Sequence, residues 1–392
     1  MKEMLTWRQK LQRYIKKQKK KATVHTVIAT VFTVVLISVL NATDRPQEVS
    51  VKKDPNSVLT ISMVGDIMFG RYVGYAIVPR FGYDHLLKYV KPYFAASDYV
   101  TGNFENPITN REGYPEADVQ IHLNTKPEAV NALKKAKFSS VNLANNHIKD
   151  YGKQGLLDTL RAFDGQDIDT VGAGRDLKEA SRISYQTVNG IKVAVLGFSD
   201  IIPRDYRARK DRSGIAPADP DVFFPLVAKA KSNADLVLVH MHWGLEYDSG
   251  YHPRQQGLAR ALVDAGADVV IGHHPHVLEP VEVYKQGVIL YSLGNFVFDQ
   301  GWSRTRESVL VQYKLLQGGK KAKLELHPMV IREGQPRPLT GWSNVYRREK
   351  IFNQLTEEFM YSDKWNQTWT REGDYISRII PLSGKGRQPA GK

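Results

Sequence analysis

The chain predicts an α/β fold in which two sheets pack face to face with helices outside, carried behind a single membrane-crossing helix. Three observations predict it. β-rich runs alternate with helical periodicity early in the chain and give way to hairpins later, a pattern that layers sheets and helices. Several of those runs end in glycine or alanine followed by Asp, Asn or His, at the carboxyl edge where open α/β folds collect ligands. Residues 22–42 hold no Asp, Glu, Lys or Arg, and about 20 apolar residues span a bilayer core.

The N-terminus sets the location. Residues 1–21 carry nine Lys or Arg against Glu3 alone, so most of the +14 net charge lies there. A basic cluster before an apolar span keeps its side in the cytoplasm. We therefore expect a basic cytoplasmic tail (1–21), a single-pass helix (22–42), a linker (43–56), an extracellular domain (57–335) and a partly disordered C-terminal extension (336–392). The alternative is a cleaved signal peptide, but Val39-Leu40-Asn41-Ala42-Thr43 lacks a clean small-x-small site. A nucleic-acid-binding arm is disfavoured, because such arms do not run into an uncharged apolar span. The chain has no cysteine. Disulfides, thiolate ligands and a thiol nucleophile are excluded.

In chain order, 57–64 reads as a strand ending at Gly65-Asp66. Residues 83–94 have helical spacing. A short strand at 97–101 runs into Gly102-Asn103-Phe104-Glu105. A helix at 127–136 precedes a strand at 138–143 that ends in Ala144-Asn145-Asn146-His147. Helix 154–163 and strand 168–171 follow. Asn189-Gly190 between 184–188 and 191–198 is a hairpin signal. Helix 221–232 has Pro225 in its first turn, where proline is tolerated. Strand 234–239 ends in His240-Met241-His242, helix 254–265 follows, and strand 267–271 ends in Gly272-His273-His274-Pro275-His276. Strands 281–284 and 288–293 pair around Gln286-Gly287. Strands 308–315 and 323–331 flank Gly318-Gly319, and 351–360 is a helix.

The strand ends thus offer Asp66, Asn103, Glu105, Asn146, His147, His240, His242, His274 and His276. This mixed oxygen and nitrogen set suits zinc, manganese or iron better than calcium. It is large enough for one or two divalent ions, and two ions can clamp both oxygens of a hydrolysis. Glu105 stands two residues beyond Asn103, so on a strand both share a face. His273 should point away from His274.

Asp66, Gly102-Asn103, Asn146-His147, His242 and His274-Pro275-His276, in this order, resemble the calcineurin-like metallophosphoesterase pattern. The resemblance implies a four-layer α/β/β/α sandwich. It implies Asp66 and His276 on one metal, and Asn146, His242 and His274 on another, with His147 as the acid beside them. Met68 stands where that superfamily has a histidine, and Asn103 where it has a bridging aspartate. Met63-Val64-Gly65-Asp66-Ile67-Met68, Asn145-Asn146-His147, His242-Trp243-Gly244, Gly272-His273-His274-Pro275-His276, Ser292-Leu293-Gly294-Asn295-Phe296 and Asp299-Gln300-Gly301-Trp302 together resemble the CapA/PgsA family. That resemblance implies a membrane-anchored subunit for making and exporting poly-γ-glutamate. Its implied partners are the polymer, a ligase subunit and a small membrane subunit.

Poly-γ-glutamate is a polyanion, and guanidinium pairs bidentately with carboxylate. Arg204, Arg207 and Arg209 could bind it or form a solvated loop; Arg304 and Arg306 are a second candidate pair. Arg71 lines the site or pairs with a carboxylate. Glu246 is a base or a partner to a ligating histidine. Two other readings stay open: a metal-dependent hydrolase of a phosphoester or γ-glutamyl amide, and a non-catalytic polyanion-binding module.

Overall fold

The computed structural model of the chain describes residues 5–43, 49–110, 113–301, 304–356 and 369–382. It divides into two units, 1–47 and 48–392.

The first unit is helical. The basic tail forms the helix Trp7–Lys19, opened by a capping box between Thr6 and Gln9. The helix Ala22–Thr43 follows. Its stretch Ala22–Val39 has a mean hydropathy of 2.1 and buries nothing in the fold. It is long and apolar enough to cross a membrane.

The second unit is built on two sheets. The large sheet runs Thr370–Glu372, Tyr375–Pro381, Lys321–Arg332, Glu307–Leu316, Ser57–Ile67, Tyr99–Phe104, Ser140–Asn142, Asp169–Val171. Asn295–Val297 pairs with the Ser57–Ile67 strand, and Gln335–Pro338 with Lys321–Arg332. The second sheet runs Leu278–Tyr284, Gly287–Leu293, Val269–His273, Leu236–His242, Ile191–Ser199, Ser184–Val188. Each sheet has a parallel centre: Ser57–Ile67 with Tyr99–Phe104 and Ser140–Asn142, and Ile191–Ser199 with Leu236–His242 and Val269–His273.

Side-chain parity explains the layers. Alternate strand residues face opposite sides. Val193, Val195, Leu236, Leu238, Val269 and Ile271 pack against Leu59, Ile61, Met63 and Tyr99 in the core between the sheets. Their neighbours Ala194, Leu196, Val237, Val239 and Val270 pack outward with Phe223, Val227, Leu258 and Leu262 of the helices Pro220–Asn233 and Pro253–Ala265. Val64, Val100 and Val141 pack on the other outer face with Leu133 and Leu156 of the helices Glu128–Lys135 and Gly152–Phe163. The architecture is therefore four-layered, α/β/β/α. Each such apolar side chain, fully buried, contributes roughly 1.5–3 kcal/mol before entropy is counted.

Parity also aims the chemistry. Continuing the inward phase of Leu236 and Leu238 puts His240 and His242 between the sheets. Continuing from Val269 and Ile271 does the same for His273, and from Tyr99 for Thr101, Asn103 and Glu105.

Some elements differ from expectation. Residues 83–94 are not one helix but a 3-10 turn, Tyr83–His85, and a short helix, Lys91–Ala95. Pro92 lacks the N–H that a continuous helix would need, so the helix restarts around it. Pro225 lies inside its helix, not in the first turn, because Asp219 caps the helix and Pro220 opens it. The hairpin at Asn189-Gly190 forms with both residues at positive φ, 52° and 79°. The helix expected at 351–360 is Val345–Thr356, and 357–360 lie outside the described residues. The strand Gln335–Pro338 crosses the expected 335/336 boundary, and Tyr375–Pro381 adds to the large sheet. Trp302 and the expected disordered tail after 382 lie outside the described residues.

Candidate metal centre

The carboxyl ends of the central strands meet at one rim, and six of the expected side chains converge there. Asp66, Asn103, Glu105 and His242 are fully buried, and His274 and His276 nearly so. Ligand atoms of Asp66, Glu105 and His276 lie within 4.8 Å of one another. So do those of Glu105, His242 and His274, and those of Glu246, His274 and His276. Glu105 belongs to the first two groups, so it stands between two ligand sets. His242 Nε2 lies 2.8 Å from Asn146 Oδ1, which adds the amide to the second set.

Glu105 Oε1 and the Nδ1 atoms of His242 and His274 are buried with no hydrogen-bond partner. Such orphans are costly unless a ligand satisfies them. Convergent carboxylate and imidazole donors with free lone pairs fit a divalent cation.

The electrostatics leave one carboxyl ionised and the imidazoles of His242 and His274 neutral. Burial resists ionisation of Asp66, but hydrogen bonds from His273 and His276 outweigh it and hold the carboxyl well below its usual range. Burial, then the neighbouring Asp66 charge, pushes Glu105 well above its usual range. Burial, then repulsion from His274, holds His242 well below an ordinary imidazole. Burial, then repulsion from His276, pushes His274 down to about 3. Neutral imidazole is the form that ligates a metal.

The backbone carries strain here. His274 and His276 have φ of 98° and 57°. Non-glycine residues in such regions cost on the order of 1–3 kcal/mol each and gather at functional sites. The turn lets three nearby rings reach different partners. His276 lies 3.3 Å from Asp66, the His274 ring lies tilted 4.7 Å from that of His242, and His273 stacks on His240 at 5.2 Å. A Cβ on Gly272 would lie 1.9 Å from Tyr291 O, so only glycine lets this strand end approach its neighbour.

Asn103 sits in a hydrogen-bond network. Its Nδ2 donates to Asp66 Oδ1 at 2.9 Å and to Glu105 Oε2 at 3.2 Å. Its Oδ1 accepts from Asn142 and Asn145 at 3.0 and 3.2 Å. This network fixes the amide orientation. Asn103 thus stands between the two carboxylates and hydrogen-bonds to both. Met68 is also no ligand: it packs with Leu123 and Phe298, and its sulfur faces Gly70 N at 3.0 Å.

His147 sits at the rim with Nδ1 2.8 Å from Asp150 Oδ2. Asp150 in turn accepts from Tyr206 Oη at 3.2 Å. Glu246 is exposed beside His274 and His276. Arg71 Nε lies 3.3 Å from Asp299 Oδ2. Arg207 pairs with Asp219 at 2.7 Å, Arg204 is 97% exposed, and Arg209 bridges to Arg212 through the backbone. Tyr206 ties this loop to Asp150. Trp243 packs, with Nε1 donating to Tyr291 O at 2.8 Å.

Sequence reasoning did not single out Asp150, Asn295 or the joint work of His240 and His273. Asn295 Oδ1 lies 3.0 Å from His276 Nδ1. His240 Nδ1 lies 2.9 Å from His273 Nε2, whose ring lies 3.4 Å from Asp66 through Nδ1. Asn295 had a signal, since it follows Gly294 at a strand end. Asp150 lies three residues past His147, a spacing that only a turn makes close.

Residues 60–300 match the family described as bacterial capsule synthesis protein PGA_cap. The chain is 47% identical over 365 residues to the PGA biosynthesis protein CapA of Bacillus subtilis, covering 93% of this chain and 95% of that one. It is 46% identical over 374 residues to the capsule biosynthesis protein CapA of Bacillus anthracis, covering 94% and 90%. Among solved structures, a 5'-nucleotidase from Candida albicans superposes with a TM-score of 0.39 at 11% identity, covering 69% of this chain and 50% of that one. That last likeness is too distant to bear on function.

Proposed function

Because the chain belongs to the bacterial capsule synthesis protein family, we propose that it is the membrane-anchored subunit of a poly-γ-glutamate synthesis and export complex, with an outer domain that processes the polymer at a metal centre. The observation that carries the processing role is the convergence of Asp66, Glu105, His242, His274 and His276 at one buried rim. The charge-free helix and the basic tail before it support a cytoplasmic N-terminus and an extracellular main domain. A ligase subunit and a small membrane subunit are the partners this reading assigns.

In the metal centre, Asp66 and His276 would hold one ion, Asn146, His242 and His274 a second, with Glu105 between them. Manganese, zinc or iron suits this donor set. A bound divalent ion supplies a Lewis acid that polarises the scissile carbonyl or phosphoryl group and acidifies water. The protein does the rest. Asn103 holds both carboxylates in line. Asp150 accepts from His147 Nδ1, so a doubly protonated His147 would present Nε2–H and could give that proton to the leaving group. Glu246, exposed next to His274 and His276, is placed to take the proton from the attacking water.

The reading is tested in two steps. Full-length protein loaded with manganese or zinc should release product from poly-γ-glutamate or from a phosphoester, and His274→Ala should abolish release. Inactivity on both substrate classes would remove the processing role. Cells lacking the gene should make less polymer; undiminished polymer would remove the reading altogether. A purely polyanion-binding role is less favoured, because Arg207 is already paired with Asp219.

A further inference from the structure

A cavity of about 1010 Å³ opens on the surface, lined by Arg71, Tyr75, Tyr83, Asn124 and Lys126 among others. That is the top of the roughly 300–1,000 Å³ range of ligand clefts. Both of its walls are tied to the metal centre. On one side, Arg71 follows the Asp66 strand at φ 49° and pairs with Asp299. On the other, Leu123 N donates at 2.7 Å to Asp150 Oδ2, the oxygen that holds His147. Between them, Met68, Leu123 and Phe298 form a small buried cluster, with the Phe298 ring 4.9 Å from that of His276. One apolar cluster thus stands between the groove and the centre.

The groove is braced rather than accidental. Tyr83 Oη and Thr125 Oγ1 lie 2.8 Å apart, and Thr125 Oγ1 donates to Phe69 O at 3.3 Å. A Cβ on Gly70 would come within 2.5 Å of Asn124 O, so glycine is what lets the walls close at this depth. Tyr75 lies on the π-helical turn Val73–Ile77 and is 73% exposed. Turns of this kind are rare and concentrate at functional sites.

The lining offers Lys126 as a cation, Arg71 being already paired with Asp299, together with the amides of Asn110 and Asn124 and tyrosine faces, with Glu128 the one carboxylate among the described lining residues. Cations bind carboxylates, amides bind peptide-like groups, and aromatic faces cover methylene stems. We propose that this groove, one apolar cluster away from the metal centre, binds an extended acidic polyamide chain, an inference that rests on the polymer reading above.

The test is anisotropy of a fluorescein-labelled γ-glutamate oligomer of roughly ten residues with the full-length protein in detergent. Tyr75→Ala combined with Lys126→Ala should weaken binding at least about tenfold. Lys126→Arg should stay within about twofold, since the charge is kept. Metal content should be unchanged in both variants, which excludes misfolding as the cause. If the wild type binds and the double variant binds within twofold of it, the groove is refuted and the polymer reading survives. If the wild type binds no oligomer, both fall.

Discussion

Glu105 is the most informative residue to change, because it belongs to both ligand sets and is fully buried. Take Glu105→Gln. The amide keeps an oxygen for the Asn103 Nδ2 that now donates to Glu105 at 3.2 Å. It removes a charge from beside Asp66. Two opposite effects follow. Without metal, Glu105 is an acid whose folded pKa lies above its unfolded one, through burial and the Asp66 charge. Its stabilising term is fully present below the unfolded value near about 4.3 and is gone once pH has risen through the folded value. Glutamine has no such loss. Metal-free Glu105→Gln should therefore be more stable than metal-free wild type at pH 8, by about 1–3 kcal/mol, the cost of a poorly satisfied buried polar group. For a domain of this size that raises the melting temperature by about 2–6 °C. With metal the order reverses. Wild type at a thousandfold excess over Kd gains about 4.1 kcal/mol, and the variant should gain little. Calorimetry with and without manganese or zinc, beside metal analysis, measures both arms. The reasoning is refuted if the variant keeps a full metal complement, or if its metal-free form is the less stable at pH 8.

Three further outcomes are expected. His147→Ala should lower turnover by about 10²–10⁴-fold while metal content stays at the wild-type level; a parallel loss of metal would make His147 a ligand instead. Val31→Lys places a charge in the middle of the apolar helix, at a cost of about 2.5–3.5 kcal/mol; cell fractionation should show less protein in the membrane. Arg207→Ala removes the ion pair with Asp219, worth no more than about 1 kcal/mol at this exposure, so oligomer affinity should shift less than about threefold, and a larger loss would move the polymer contact onto that loop.

The amino-acid sequence by itself determined the apolar helix long enough to cross a membrane, the alternation that builds two sheets, and the residues at each strand end. Those are local properties: hydropathy over twenty residues, a period of two or 3.6, a glycine before a ligand. It also carried Glu105, since residues two apart on a strand share a face. What it did not determine was orientation. Asn103 was equally able to offer oxygen or nitrogen, and only its contacts with Asn142 and Asn145 decide that its nitrogen faces the carboxylates. Whether Arg71 and Arg207 were free depended on Asp299 and Asp219, the first more than two hundred residues away in the chain. The strained turn at His274 and His276 likewise exists because the surrounding sheets hold it. Strand parity aims a side chain toward a layer; only packing between layers decides which atom it meets there.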